Sequence, residues 1–155
     1  MSDDGICAAA ARELAARACL ALDEADYAGF LALCSERFHY VVAVYSPELR
    51  REMTWLEHDL DGLRALLETV DEHLTRPDRP LRQLGASIVE AGPAGALQLN
   101  TSFTIVQTGT DGISRLWAAG RYHDTVVRAG AALRLQARRV ELHSRDIGIG
   151  SHVPL

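Results

Sequence analysis

Apolar positions along the chain change their spacing several times, and those changes divide it into elements. From residue 6 to 22 the chain is rich in Ala, and Leu14, Ala18 and Leu22 recur every four residues. That spacing predicts a helix, with Asp3 or Asp4 available to cap its start. Asp26 predicts the N-cap of a second, short helix carrying Phe30, Leu31 and Cys34, with residues 35–37 as its exit. The run 38–45, rich in Val and aromatics, predicts a strand that Ser46-Pro47 ends. Over residues 48–78 the pattern reads as helix, since Leu56, Leu60, Leu63, Leu67 and Val70 form one apolar stripe. Pro77 and Pro80 stop it, because prolines so close together do not fit a helix interior.

Beyond that stop the period becomes two. Strands are predicted over 81–90, 96–108, 113–127 and 132–143, with Gly-containing turns between them. In the second of these Leu97, Leu99, Thr101, Phe103 and Ile105 share one face, and Gln98, Asn100, Ser102 and Thr104 share the other. The last strand changes phase: Leu133, Leu135 and Ala137 have one parity, Val140 and Leu142 the opposite one. A one-residue bulge near Arg138-Arg139 would bring both sets onto one face and curl the sheet. Helices segregated from a hairpin-linked meander predict an α+β fold.

At 155 residues the chain suits one domain, residues 1–155. Hydrophobic residues at 48% and charged residues at 24% suit a packed core rather than a disordered chain. The net charge of −5 gives no general affinity for phosphate, so nucleic acid is not expected as a partner. All 16 basic residues are Arg, which GC-rich coding would produce, as would planar ion pairs at a subunit interface. Cys7, Cys19 and Cys34 are odd in number and set among apolar residues, which predicts reduced, packed thiols in a cytoplasmic protein. No apolar run is long enough to predict a membrane span.

Candidate chemistry is sparse. No C-x-x-C, C-x-H, H-x-x-x-H or H-E-x-x-H spacing occurs, and the six His residues are scattered, so no metal site is predicted. Gly-rich phosphate loops and G-x-S-x-G are absent too. Acid–base groups remain. In Tyr122-His123-Asp124, neighbours in a strand face opposite ways, so His123 and Asp124 cannot form a local dyad. Asp124 shares its parity with Leu116, Ala118, Tyr122 and Val126. If that face lines a pocket, Asp124 is a candidate base with a raised pKa; otherwise it pairs with an Arg such as Arg121 or Arg139. His58-Asp59 reads as solvated helix or interface.

The segment from Leu22 to Cys34, followed by Phe38-His39-Tyr40, resembles the opening of small (beta) subunits of Rieske-type aromatic-ring-hydroxylating dioxygenases, within the NTF2-like superfamily. Met53-Thr54-Trp55-Leu56-Glu57-His58-Asp59 resembles that family's approach to its third helix. Gly120-Arg121-Tyr122-His123-Asp124 and Arg138-Arg139-Val140-Glu141-Leu142 resemble its two final strands. The run from Tyr45 to Leu56 is similar to the methanesulfonate monooxygenase small-subunit branch.

The resemblance implies an NTF2-like cone, with N-terminal helices packed on a curled, mostly antiparallel sheet. It further implies a non-catalytic subunit that forms a trimer within an α3β3 hexamer. The Rieske cluster and mononuclear iron would then reside in the large (alpha) subunit, and this chain would hold no cofactor or metal. Such a subunit would expose a large, partly apolar sheet face; Arg50, Arg51, Trp55, Arg138 and Arg139 are its candidate interface residues, the Arg pairs lying at edges where they meet acidic groups of partners or stand as solvated surface charge. The alternative from the residues is a free-standing NTF2-like isomerase, cyclase or dehydratase. There Asp124 or His39 would accept the proton, and Tyr40 or Tyr122 would donate hydrogen bonds. A small-ligand-binding or dimerisation module stays open beside both.

Overall fold

The structure is a computed structural model that describes residues 3–70, 78–147 and 153–155. Helix α1 (Asp3–Asp23) buries Ala11, Leu14, Ala15, Ala18, Cys19 and Leu22, a stripe at helical spacing. Its small residues let the helix backbone lie close to the strands it covers, those of residues 79–91, 97–108 and 132–142. The capping expectation at Asp3 or Asp4 concerns side chains outside those described. Asp26 accepts the Gly29 N–H at 2.9 Å and so starts α2 (Tyr27–Ala32), as its N-cap position predicts.

Strand β1 (Cys34–Ser46) begins four residues earlier than the sequence suggests. No exit loop exists, and Cys34 is not helical. The Leu33 carbonyl accepts the Leu135 N–H at 2.9 Å, so the chain pairs with the sheet as soon as α2 ends.

The larger correction concerns residues 51–59. These form strand β2 (Arg51–Asp59), antiparallel to β1 from His39↔Asp59 to Ser46↔Arg51. Helix α3 (Leu60–Glu68) starts only there, with Asp59 capping the Gly62 N–H at 2.8 Å. Leu63 and Leu67 of the expected stripe are its buried face, whereas Leu56 reaches the core from a strand. Residues 71–77, which include the first of the two stop prolines, lie outside the described residues. Pro80 falls inside β3 (Arg79–Ala91). It is tolerated because β3 is an edge strand, where a missing N–H can face away from the ladder.

Strands β3, β4 (Leu97–Thr108), β5 (Ser114–Ala129) and β6 (Ala132–Leu142) form the expected meander. Strand β1 then joins β6 in parallel, giving the order β2-β1-β6-β5-β4-β3. The sheet is mostly antiparallel, curled and unclosed. Residue skips in the ladders bend it. Thr125 faces Ala137 while Val126 faces Leu135, which leaves Gln136 as the extra residue. The phase change in β6 therefore sits two residues before its expected place. Leu135, Val140 and Leu142 do share the inner face, but Arg138 joins them in place of Ala137. A second skip leaves Trp117 unopposed and turns Leu116 outward, so Leu116 is 68% exposed rather than part of the apolar face. A third leaves Trp55 unopposed in β2.

Inside the curl, Phe30, Phe38, Tyr40, Leu99, Phe103, Ile105, Leu135 and Val140 form one core with the helices. The outer face is largely polar. Exposed apolar side chains lie toward both edges: Leu81 is opposite the half-buried Val106, and Val106 opposite Leu116, with Ile88 and Ile113 also exposed, while Tyr45, Leu49 and Trp55 are exposed at the β1–β2 end.

Candidate functional site

The inner face of β5 alternates Ala118, Tyr122, Asp124 and Val126, all buried. Asp124 and Arg138 are both fully buried and meet across the β5–β6 ladder. Arg138 Nε donates to Asp124 Oδ1 and Nη2 to Oδ2, each at 2.8 Å. The partner of Asp124 is thus an Arg, but neither Arg121 nor Arg139, which have outward parity. Burial alone would lower the Arg138 pKa; the groups around it, Asp124 foremost with Cys19 and Tyr122, together outweigh that and hold it well above the ordinary value. Its guanidinium also lies 4.2 Å from the centroid of the Tyr122 ring. Phe103 stacks on that ring at 4.1 Å and 10°. Arg138, Tyr122 and Phe103 therefore form one layered stack in the buried interior. As a candidate interface residue Arg138 is a correction: the Gln136 bulge turns it into the core.

Other polar groups of the interior are engaged too. Tyr40 Oη accepts the Leu155 N–H at 2.8 Å, and burial pushes its pKa up to about 12. Arg82 pairs with Asp23 at 2.6 Å and donates to the Pro154 carbonyl at 2.5 Å. Cys34 is likewise held neutral, since burial raises its pKa to about 12. Two buried polar atoms of this interior, Tyr122 Oη and Arg82 Nε, have no hydrogen-bond partner among the described residues. The roles of Arg82, Asp23 and Phe103 were not read from the sequence. Phe103 could have been, because it sits on the inward face of β4 beside a β5 strand carrying Tyr122.

His39 lies on the opposite face from Tyr40, half-exposed, with Nε2 2.8 Å from Glu57. It is not brought together with Asp124. His123 and His143 share the carboxylate of Glu141 on the outer face, at 2.6 and 3.4 Å. Hydrogen bonding from His123 is the main reason Glu141 has a lowered pKa. Arg50 and Arg51 are exposed at the β1–β2 hairpin, Trp55 is 41% exposed, and Arg139 pairs with Glu52 across the outer face. Among the described residues no three His, Cys, Asp or Glu side chains gather as a metal would require.

Comparison with known proteins decides the family. The model of the SnoaL-like domain matches residues 8–139. The beta subunit of 2-aminobenzenesulfonate 2,3-dioxygenase from Alcaligenes sp. is 30% identical over 134 residues, covering 86% of this chain and 89% of that one. The hydroxylase beta subunit of methanesulfonate monooxygenase from Methylosulfonomonas methylovora is 32% identical over 156 residues, covering 94% and 86%. The chain belongs to the SnoaL-like domain family, among oxygenase beta subunits. A crystal structure from Novosphingobium aromaticivorans, assigned as a beta subunit of an aromatic-ring-hydroxylating dioxygenase, superposes with a TM-score of 0.87 at 17% identity. It covers 99% of this chain and 100% of that one.

For a beta subunit the engagement of Asp124 makes chemical sense. Both oxygens of Asp124 are engaged by a guanidinium that cannot give up its proton, so the carboxylate is a poor proton acceptor. The free-standing-enzyme reading is not favoured. Among the described residues no helix is long and apolar enough to cross a membrane.

Proposed function

We propose that this chain, folded as one domain over residues 1–155, is the non-catalytic small subunit of a Rieske-type oxygenase, acting in the cytoplasm. In this reading three copies assemble with three large (alpha) subunits, which carry the Rieske cluster and the mononuclear iron. Arg50, Arg51, Trp55 and Arg139 then lie at subunit interfaces. One observation carries the reading: the acid–base group that an enzyme of this fold would use, Asp124, is locked by Arg138 under a packed aromatic stack. Relatives named as beta subunits along most of the chain support it.

The test is co-expression with a Rieske-type large subunit from the same genome, followed by affinity capture on the large subunit and measurement of mass by light scattering. A complex with equal numbers of both chains and the mass of a hexamer is expected, and oxygenase turnover only when both are present. A small subunit that stays unassociated, or that turns over substrate alone, would sink the proposal.

A further inference from the structure

Val153, Pro154 and Leu155 belong to no helix or strand, yet all three are buried. Irregular segments usually run along the surface, because their backbone groups need water or partners. Here the partners are side chains of the cone. Leu155 donates its N–H to Tyr40, and the Pro154 carbonyl accepts from Arg82, while the Val153 and Leu155 side chains join the core. Each of these is an interaction that a bound small molecule makes with a pocket: one carbonyl on a donor, and an apolar body against apolar walls.

Two further observations point to a ligand. An apolar cavity of about 300 Å³ lies beside the segment, walled by Val153 and Leu155 together with Tyr40, Val42, Trp55 and Leu56. In the same interior the Tyr122 hydroxyl and Arg82 Nε are buried without partners. Val140 pairs with Val42 of the cavity wall on one side and with Tyr122 on the other, so Tyr122 lies on the same buried face two strands away. Unmet buried donors carry a desolvation cost that an acceptor would relieve. The charge balance selects the acceptor. Arg82 already faces Asp23 and Arg138 already faces Asp124, so an added anion would be buried unpaired.

We propose that residues 153–155 are a built-in occupant of the cone, and that displacing them opens a site for a small, neutral, apolar molecule bearing one carbonyl group. Arg82 and Tyr122 would hold the carbonyl, and the walls around Val42 and Leu56 would hold the apolar body. The test deletes residues 153–155 and titrates the variant and the intact chain with benzamide and with benzoate, following backbone amide shifts by NMR. The variant should keep a dispersed spectrum and bind benzamide at least ~10-fold more tightly than the intact chain does. Benzoate should bind less tightly than benzamide, and Tyr122→Phe in the deleted chain should weaken benzamide. A folded variant that gains no affinity, or that prefers benzoate, overturns the proposal.

Hydrogen exchange in the intact chain tests it without any deletion. A displaceable segment opens locally, so the Leu155 amide should exchange at least ~100-fold faster than the Val140 amide of the central strand β6. Equal exchange at the rate of global unfolding would make the segment plain core and overturn the proposal.

Discussion

Asp124 and Arg138 are two charges with no exposed surface, and what they do for the protein is not simply add stability. Taking both from water costs several kcal/mol per ion, which the paired geometry only just repays. Removing one is another matter. Arg138→Met leaves a buried carboxylate alone, and Asp124→Leu leaves a buried guanidinium; each should cost about 3–5 kcal/mol in urea unfolding. The double variant Asp124→Leu/Arg138→Met should recover most of that loss, since two apolar side chains can fill the same volume. If the double variant is as unstable as the sum of the singles, the pair is not the coupled unit described. That Asp124 would find an Arg was legible in the sequence; which Arg was not, because the answer depended on a one-residue skip at Gln136.

Glu141 offers a second test at this scale, on the outer face. Its pKa is lowered in the fold, chiefly by the hydrogen bond from His123. A lowered carboxylate stabilises the folded state above its unfolded pKa of about 4.3, and that contribution disappears as pH falls through the lower folded value. Glu141→Gln removes it, so the Tm of the variant should fall less steeply than that of the wild type below about pH 5. Identical acid limbs would mean the hydrogen bond has no energetic weight.

At the scale of elements, the meander was readable because each strand carries its own alternation and each turn its own Gly. Strand β2 was not. Its residues, Arg51-Glu52-Met53-Thr54-Trp55-Leu56-Glu57-His58-Asp59, have little alternation, and Leu56 happens to continue the stripe of α3. The strand exists through pairing with β1, a contact between segments that local pattern does not report. One local signal was available: Asp59 three residues before Gly62 is an N-cap arrangement, and it marks where strand gives way to helix. The bulge at Gln136 makes the corresponding prediction for β6. Gln136→Ala should change stability by no more than about 0.5 kcal/mol, because the side chain lies off the inner face. Deleting Gln136 forces either residues 132–135 or residues 137–142 onto the wrong face, because the side-chain period is two. The deletion should abolish cooperative thermal unfolding; a deletion variant that melts like the wild type would show that the skip does not set the register.

For the whole molecule, the buried charges of the interior are paired with one another, and unpaired charged side chains lie on the outer surface. Both oxygens of the buried Asp124 are engaged by Arg138, so the proposed role in an assembly is tested at the charged periphery. The β1–β2 hairpin projects two adjacent guanidinium groups, Arg50 and Arg51, both exposed. In the isolated chain they touch little, so the double variant Arg50→Glu/Arg51→Glu should shift stability by less than about 1 kcal/mol. In the proposed complex the same reversal of charge sets like charges against the acidic groups that the hairpin would meet. Co-purification with the large subunit should then fall by at least ~10-fold, with a steeper dependence on salt for the wild type than for the variant. The two measurements separate surface from scaffold. A variant that unfolds would place these arginines in the fold itself, whereas a stable variant that still forms the full hexamer would move the contact elsewhere, the first place to look being the apolar row from Leu81 through Val106 to Leu116.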